Sequence, residues 1–264
     1  MIRRAEAAMT ATFTRELRAS RLSRFLHVHL GLAVAIGFLA FLTRGEAGGA
    51  ATLWILEGVI HGLSLSALLL GLSSAQAEAD EFPVLFSQPV PRAAWLIGKA
   101  AALAVVLMPA GIVLVAPAAV LSGLSAPLAG LGMAAAGVTF AFAVLGLAIG
   151  LQVRDRVRAL FAGVAAWLLL LVGTGLVLLA ISGASWVPRH SGWWVALLMA
   201  NPLDALRITV LFDVEHAAFA GLDAGPLVRW WLGHAWTWLA VIVAMWTAAA
   251  FAVGLAGACR PQDA

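Results

Sequence analysis

Residues 75–99 read AQAEADEFPVLFSQPVPRAAWLIGK and lie between two long apolar segments. Three carboxylates, Glu78, Asp80 and Glu81, come first, followed by an apolar run over residues 82–87. Pro89, Pro91 and Arg92 follow, and a Gly98-Lys99 pair opens the next apolar segment. The stretch is too polar to cross a bilayer and too short to form a domain. It reads as an amphipathic connector lying at a membrane face, with its apolar side toward lipid or a partner. Pro89 and Pro91 end it, because each lacks an amide donor and pushes the preceding residue out of helical geometry.

Composition says what the connector joins. Of the 264 residues, 63% are hydrophobic and 11% charged, and mean hydropathy is +1.00. Soluble domains average about 45–50% apolar and about 25% charged, so this is an integral membrane protein. At roughly 20 residues per crossing, the length allows about six spans with their connections. The expected fold is an all-α, six-helix membrane bundle forming one domain over the whole chain. A lone cysteine, Cys259, excludes an internal disulfide. Tyrosine is absent, but eleven Trp occur, several near span ends where an amphipathic ring suits the interface. The net charge of +3 comes almost entirely from Arg. With no basic stripe interleaved with aromatics, it points to membrane anchoring and not to nucleic acid.

Working outward from the connector, spans are expected over residues 25–42, 51–73, 94–121, 128–151, 160–181 and 231–256. Residues 1–24 are polar and basic, and from Thr14 to Arg24 they suit a helix lying along the membrane surface. Phe13, Arg15, Glu16, Arg18 and Arg21 are its notable residues. The first apolar run starts too late and runs too long for a cleavable signal peptide, so it reads as an uncleaved span. The second span carries Glu57 and His61, one helical turn apart, the only ionisable pair expected inside a span. An intramembrane charge is costly and usually functional, unless Glu57 lies at the interface and is wet. Pro109 and Pro117 are expected to kink the third span. The fourth is rich in small residues (Gly130, Gly132, Gly137, Gly146, Gly150), which predicts close helix packing. Arg154, Asp155, Arg156 and Arg158 form a basic turn before the fifth. Residues 183–230 mix Gly, Pro, Trp and charges and read as the largest non-membrane segment after the N-terminus. Within it Asn201-Pro202 signals a turn and helix start, followed by a short amphipathic helix over residues 203–212. Asp204 with Arg207 makes a local helix pair there.

With six spans, the N-terminal segment, the connector, the 152–158 turn and the C-terminal tail share one side. That side holds twelve of the sixteen Lys and Arg residues, so both termini are expected in the cytoplasm. The segment 183–230 would then face the periplasm or exterior.

The connector resembles the first cytoplasmic loop of permease subunits of the ABC-2 exporter class. That loop carries an acidic residue, an apolar run, Ser/Thr-x-Pro, an Arg, and Gly-Lys entering span three. Here those positions are Glu78, Val84-Leu85-Phe86, Ser87-Gln88-Pro89, Arg92 and Gly98-Lys99. Where many members have Gly-Thr, this chain has Asp80-Glu81. Within the class the likeness is greatest to the NosY-type permeases, which serve maturation of the copper–sulfur centre of nitrous oxide reductase. It rests on LLMANPLDALR, residues 197–207, ahead of one last span.

The resemblance implies a homodimer in the cell's inner membrane above two copies of a cytoplasmic ATPase subunit, which would bind ATP and Mg. This chain has no Gly-x-x-x-x-Gly-Lys-Ser/Thr and so no P-loop of its own. It is expected to be a transport subunit and not an enzyme. Glu78, Asp80 and Glu81 would meet basic groups on the ATPase, while Phe82, Leu85 and Phe86 fill an apolar groove, with Pro89, Arg92 and Lys99 completing the coupling element. The N-terminal helix would make the second contact. Asn201, Pro202, Asp204 and Arg207 would dock a periplasmic NosD-like protein or gate the exit. No cofactor or metal is expected in the chain. Met residues are scattered and Cys259 is terminal, so the cargo is expected to be a sulfur species more than copper. The bland alternative for the connector is an interfacial anchor, although three carboxylates suit anionic lipid poorly. Other readings are an ABC-2 exporter of lipid, drug or haem, an intramembrane enzyme built on Ser64, Ser66 or Ser73 with His61, and a haem protein ligated by His61 and His234.

Overall fold

A computed structural model of the protein describes residues 2–43, 49–78, 91–181, 191–214 and 225–259. Every regular element among them is helical. In chain order these are α1 (Ile2–Arg21), α2 (Arg24–Leu42), α3 (Ala50–Ala77), α4 (Arg92–Ser122), α5 (Ala126–Gln152), α6 (Arg156–Ile181), α7 (Ser191–Ala200), α8 (Pro202–Val214), α9 (Gly225–Gly233) and α10 (Ala235–Cys259). Six of them, α2 to α6 and α10, are long and apolar enough to cross a membrane. The molecule is a multi-pass helical membrane protein. The connector's two flanks, the α5–α6 turn and Cys259 mark one end of the bundle, here the connector end.

Local signals set the helix boundaries. Ser125 caps α5, accepting from the Leu128 amide, and Pro127 fits the first turn, where its missing N–H costs nothing. Asp155 caps α6 by accepting from the Arg158 amide at 2.7 Å. Pro91 precedes α4 with φ −63° and ψ 118°, an extended lead-in. α4 then runs on as one helix with Pro109 and Pro117 inside it. The N-terminal helix also differs from expectation: it begins at Ile2 and not Thr14, because Ala5, Ala7, Ala8 and Ala11 favour helix strongly.

α5 is the hub, packed against α3, α4 and α10. Its glycines allow the approach. A Cβ on Gly146 would collide with the Leu68 carbonyl, and one on Gly71 with the Ala143 carbonyl, so α3 and α5 touch backbone to backbone. α1 lies across the start of α4, where a Cβ on Gly98 would come within 2.5 Å of the Met9 carbonyl oxygen. α6 is held differently. It meets α3 where Gly163 faces Leu68 and Leu72, and where the Trp167 indole donates to Ser64 Oγ at 2.9 Å. Leu170 and Leu171 also pack against the core, while Phe161, Leu169 and Leu176 are exposed.

The largest departure from expectation lies in residues 183–230. Within them, α7 and α8 pack among the long apolar helices. α7 and α8 form a pair bent by 102° at Asn201, and together they are apolar enough to enter a bilayer. The bend is deep in the bundle: the Ala200 carbonyl accepts from the Trp246 indole at 2.8 Å. Trp246 lies eleven positions into α10, about 16 Å along its axis. The far end of α8 returns to the opposite end of the bundle, where Val214 abuts Gly49. The pair is therefore a re-entrant loop. Neither arm reaches the roughly 20 residues of a span. α8 is also not amphipathic, since Pro202 through Leu206 are all buried. The last span begins at Ala235, because Trp231 belongs to the separate short helix α9.

Candidate functional site

At the connector end, three helices converge on one lysine. α4 brings Lys99, about two turns beyond the proline that starts it. α1 brings Glu16 and Ser20 on the face that packs against α4. The end of α3 brings Ser74 and Glu78. Lys99 Nζ donates to Glu16 Oε2 at 2.6 Å and stands 3.0 Å from Glu78 Oε1, with its side chain 0% exposed. Ser74 Oγ donates to Glu16 Oε1 at 2.6 Å, and Ser20 Oγ to the same oxygen at 3.5 Å. Arg15 approaches Glu78 Oε1 at 3.3 Å from the outer side. Lys99 also lies 5.6 Å from the Trp95 ring centre, a weak cation–π contact.

The arrangement follows from electrostatic necessity. A buried charge is tolerated only when paired and hydrogen-bonded. One ammonium and one guanidinium here balance two carboxylates. Glu78 Oε2 alone has no hydrogen-bond partner. The cluster fixes the N-terminal helix to both flanks of the connector. Nearby contacts extend it: the Gln76 amide donates to the Gly150 and Val153 carbonyls, and Arg92 Nη1 donates to the Ala258 carbonyl at 2.8 Å. The connector's roots are thus tied to α1, α5 and α10 together.

This changes the reading of several residues. Glu78 and Lys99, expected to face a partner, are turned inward and satisfy each other. Arg92 holds the end of α10, where a cation meets the negative end of the helix dipole. Asp80, Glu81, Phe82, Leu85, Phe86 and Pro89 lie outside the described residues. On α1, Glu16 belongs to the cluster, Phe13 is half-buried, and Arg18 and Arg21 are exposed. Sequence reasoning placed Glu16 on a surface helix and missed its partnership with Lys99, and it did not name Ser74. The one available signal was an acidic residue on the inner face of a helix whose Glu6, Arg18 and Arg21 are exposed.

The second predicted group sits at the re-entrant bend. Asn201 Oδ1 accepts from the Leu203 amide at 3.0 Å, capping α8. Its Nδ2 lies 2.6 Å from the Leu170 carbonyl, 2.9 Å from Thr174 Oγ1 and 2.8 Å from Asp204 Oδ2. Leu170 belongs to a π-helical turn of α6, Leu169–Gly173, whose looser winding frees the carbonyl. The Trp238 indole donates to the Met199 carbonyl at 2.9 Å. Irregular backbone at membrane depth survives only where protein satisfies it, and Asn201, Trp238 and Trp246 do so. Asp204 is buried, and Arg207 stands 3.7 Å from it, a long pair. A cleft of about 240 Å³ opens beside the bend, lined in part by Thr174, Asn201 and Trp246.

Glu57 and His61 do pair, at 3.1 Å, but their side chains are 51% and 50% exposed on the outside of the bundle. The histidine inside the bundle is one the sequence reading passed over. His29 Nδ1 lies 2.8 Å from Ser66 Oγ, with both residues buried and Nε2 unpartnered. His234 Nδ1 faces the Trp230 carbonyl of its own helix turn, its ring stacked on Trp230. Ser64 and Ser73 bond back to the Ile60 and Leu70 carbonyls. Among the described residues, no three His, Cys, Asp or Glu side chains are grouped to hold a metal ion. Compared with known protein families and with curated proteins, the chain matches none.

Proposed function

We propose that this chain is the membrane-spanning permease subunit of an ATP-driven transporter of the ABC-2 class. The observation that carries the reading is the Lys99 cluster. A polar connector whose two roots are locked to a surface helix by buried ion pairs is suited to take a push from below and pass it on. A partner moving the connector would move α1, α3 and α4 as one body. In this reading two ATPase subunits carry the ATP and Mg. They grip the connector through Asp80, Glu81 and the apolar residues Phe82, Leu85 and Phe86, with Arg18 and Arg21 of α1 as the neighbouring contact. The permease works as a homodimer in the inner membrane with both termini in the cytoplasm, and the re-entrant pair α7–α8 serves as the exit gate or the dock for a periplasmic partner. The NosY likeness makes the finer proposal: a sulfur-containing species delivered for copper-site assembly of nitrous oxide reductase, with a NosD-like protein outside.

Copurification from native membranes in mild detergent tests this. The variant to compare is Asp80→Lys with Glu81→Lys. Glu78 is left intact, because its reversal would place two ammonium groups together in a buried site. Wild type is expected to bring down an ATPase that the double variant loses. A periplasmic protein in the same eluate would support the finer proposal. Recovery of wild type without any ATPase sinks the permease reading, and stoichiometric copper bound within the spans sinks the sulfur-cargo proposal.

A further inference from the structure

α5 and α10 pack along their length, with Gly137 facing Val243 midway. Toward the connector end Gly254 faces Ala148, and toward the opposite end the Trp236 ring lies 3.2 Å from where a Cβ of Gly130 would be. From Gly130 to Ala148 is eighteen positions, about 27 Å of helix, close to the roughly 30 Å of a hydrocarbon core. Along this seam lies an open groove of about 1130 Å³. Its walls are kept low by Gly137 on α5 and by Ala244 and Ala248 on α10, with Phe140 lining the floor side. The volume exceeds the roughly 300–1,000 Å³ of ordinary small-molecule sites, and the lining is almost wholly apolar. A long apolar molecule fills such a space; water does not.

One end of the groove is polar. Asp213, at the last turn of α8, and Trp236, at the first turn of α10, line it together. Asp213 is half-buried, and no cation faces it among the described residues. A carboxylate beside an indole, at the negative end of a helix, is complementary to an ammonium group. The opposite rim, near Ala100 and Leu255, offers no such group. We propose that the groove holds one phospholipid of the surrounding bilayer, its acyl chains along the alanine wall of α10 and a primary-ammonium headgroup against Asp213 and Trp236. The site is independent of the transport reading.

The test uses the full chain purified from membranes containing phosphatidylethanolamine and phosphatidylglycerol, with the retained lipid counted by native mass spectrometry after repeated detergent washing. Wild type is expected to keep one phosphatidylethanolamine per chain. Ala248→Phe, which fills the groove, is expected to lose it. Asp213→Asn, a half-exposed change that leaves the packing alone, is expected to keep a lipid but lose the preference between the two headgroups. Thermal unfolding in detergent, with and without added phosphatidylethanolamine, gives a second readout: wild type and Ala244→Ser gain stability, Ala248→Phe does not. Washed wild type with no lipid, or with both headgroups equally, overturns the proposal. So does disulfide-linked dimer formation by Ala248→Cys in a Cys259→Ala background, which would put a second copy of this chain in the groove.

Discussion

Lys99 is where a single substitution has the largest expected consequence. Lys99→Met removes the ammonium and leaves Glu16 and Glu78 buried against each other. Breaking a buried pair in this way costs about 3–5 kcal/mol, so the variant should unfold at a markedly lower temperature in detergent. Lys99→Met combined with Glu16→Gln and Glu78→Gln removes the stranded charges and should recover most of the loss. If the triple variant is no better than the single one, the cluster is not the electrostatic unit its geometry describes. The sequence showed only part of this. Glu57 and His61 pair at four positions' spacing, which helical periodicity reveals, and they do pair. Glu16 and Lys99 are 83 positions apart, and no local pattern links them. Only the packing of α1 across α4, permitted by Gly98, brings them together.

The helices were largely legible, their contacts less so. All six long apolar helices begin or end within a few residues of where apolar runs and Pro, Ser and Asp signals put them. The small residues of α5 announced close packing without saying where. The structure assigns Gly146 to α3 and Gly130 to Trp236. Gly146→Ala should therefore be severe: its Cβ meets the Leu68 carbonyl, a backbone atom that cannot swing away, and overpacking of this kind costs about 1–3 kcal/mol or more. Gly31→Ala, with nothing within 4 Å of the new Cβ, is the matched control and should be neutral or better. Size-exclusion profiles and unfolding temperatures of the two separate these outcomes. The re-entrant pair was the element least visible in sequence, because two helices of 10 and 13 residues are each too short to register as spans. Its depth makes a prediction of its own. Trp246→Phe keeps an aromatic ring but removes the donor to the Ala200 carbonyl, and should lower the unfolding temperature. Trp193→Phe, on an exposed ring, should cost far less. Equal unfolding temperatures for the two would place the bend outside the bundle.

At the scale of the whole molecule, twelve of the sixteen basic residues gather at one end in the six-span arrangement. Reporter domains fused to each terminus in turn should both be active only in the cytoplasm; opposite locations would mean that α7–α8 crosses the membrane. The bundle's assembly also has a built-in order. Residue 16 leaves the ribosome long before residue 99. At about 5–20 residues per second, the 83 positions between them take roughly 4–17 s to make. During that interval the first helix has no lysine to meet and lies at the membrane with its carboxylate still hydrated. Two spans and the connector must be threaded before it can close over the third. The newborn chain is thus latched from its beginning only after its middle has arrived, and anything that binds the exposed first helix in those seconds competes with the latch.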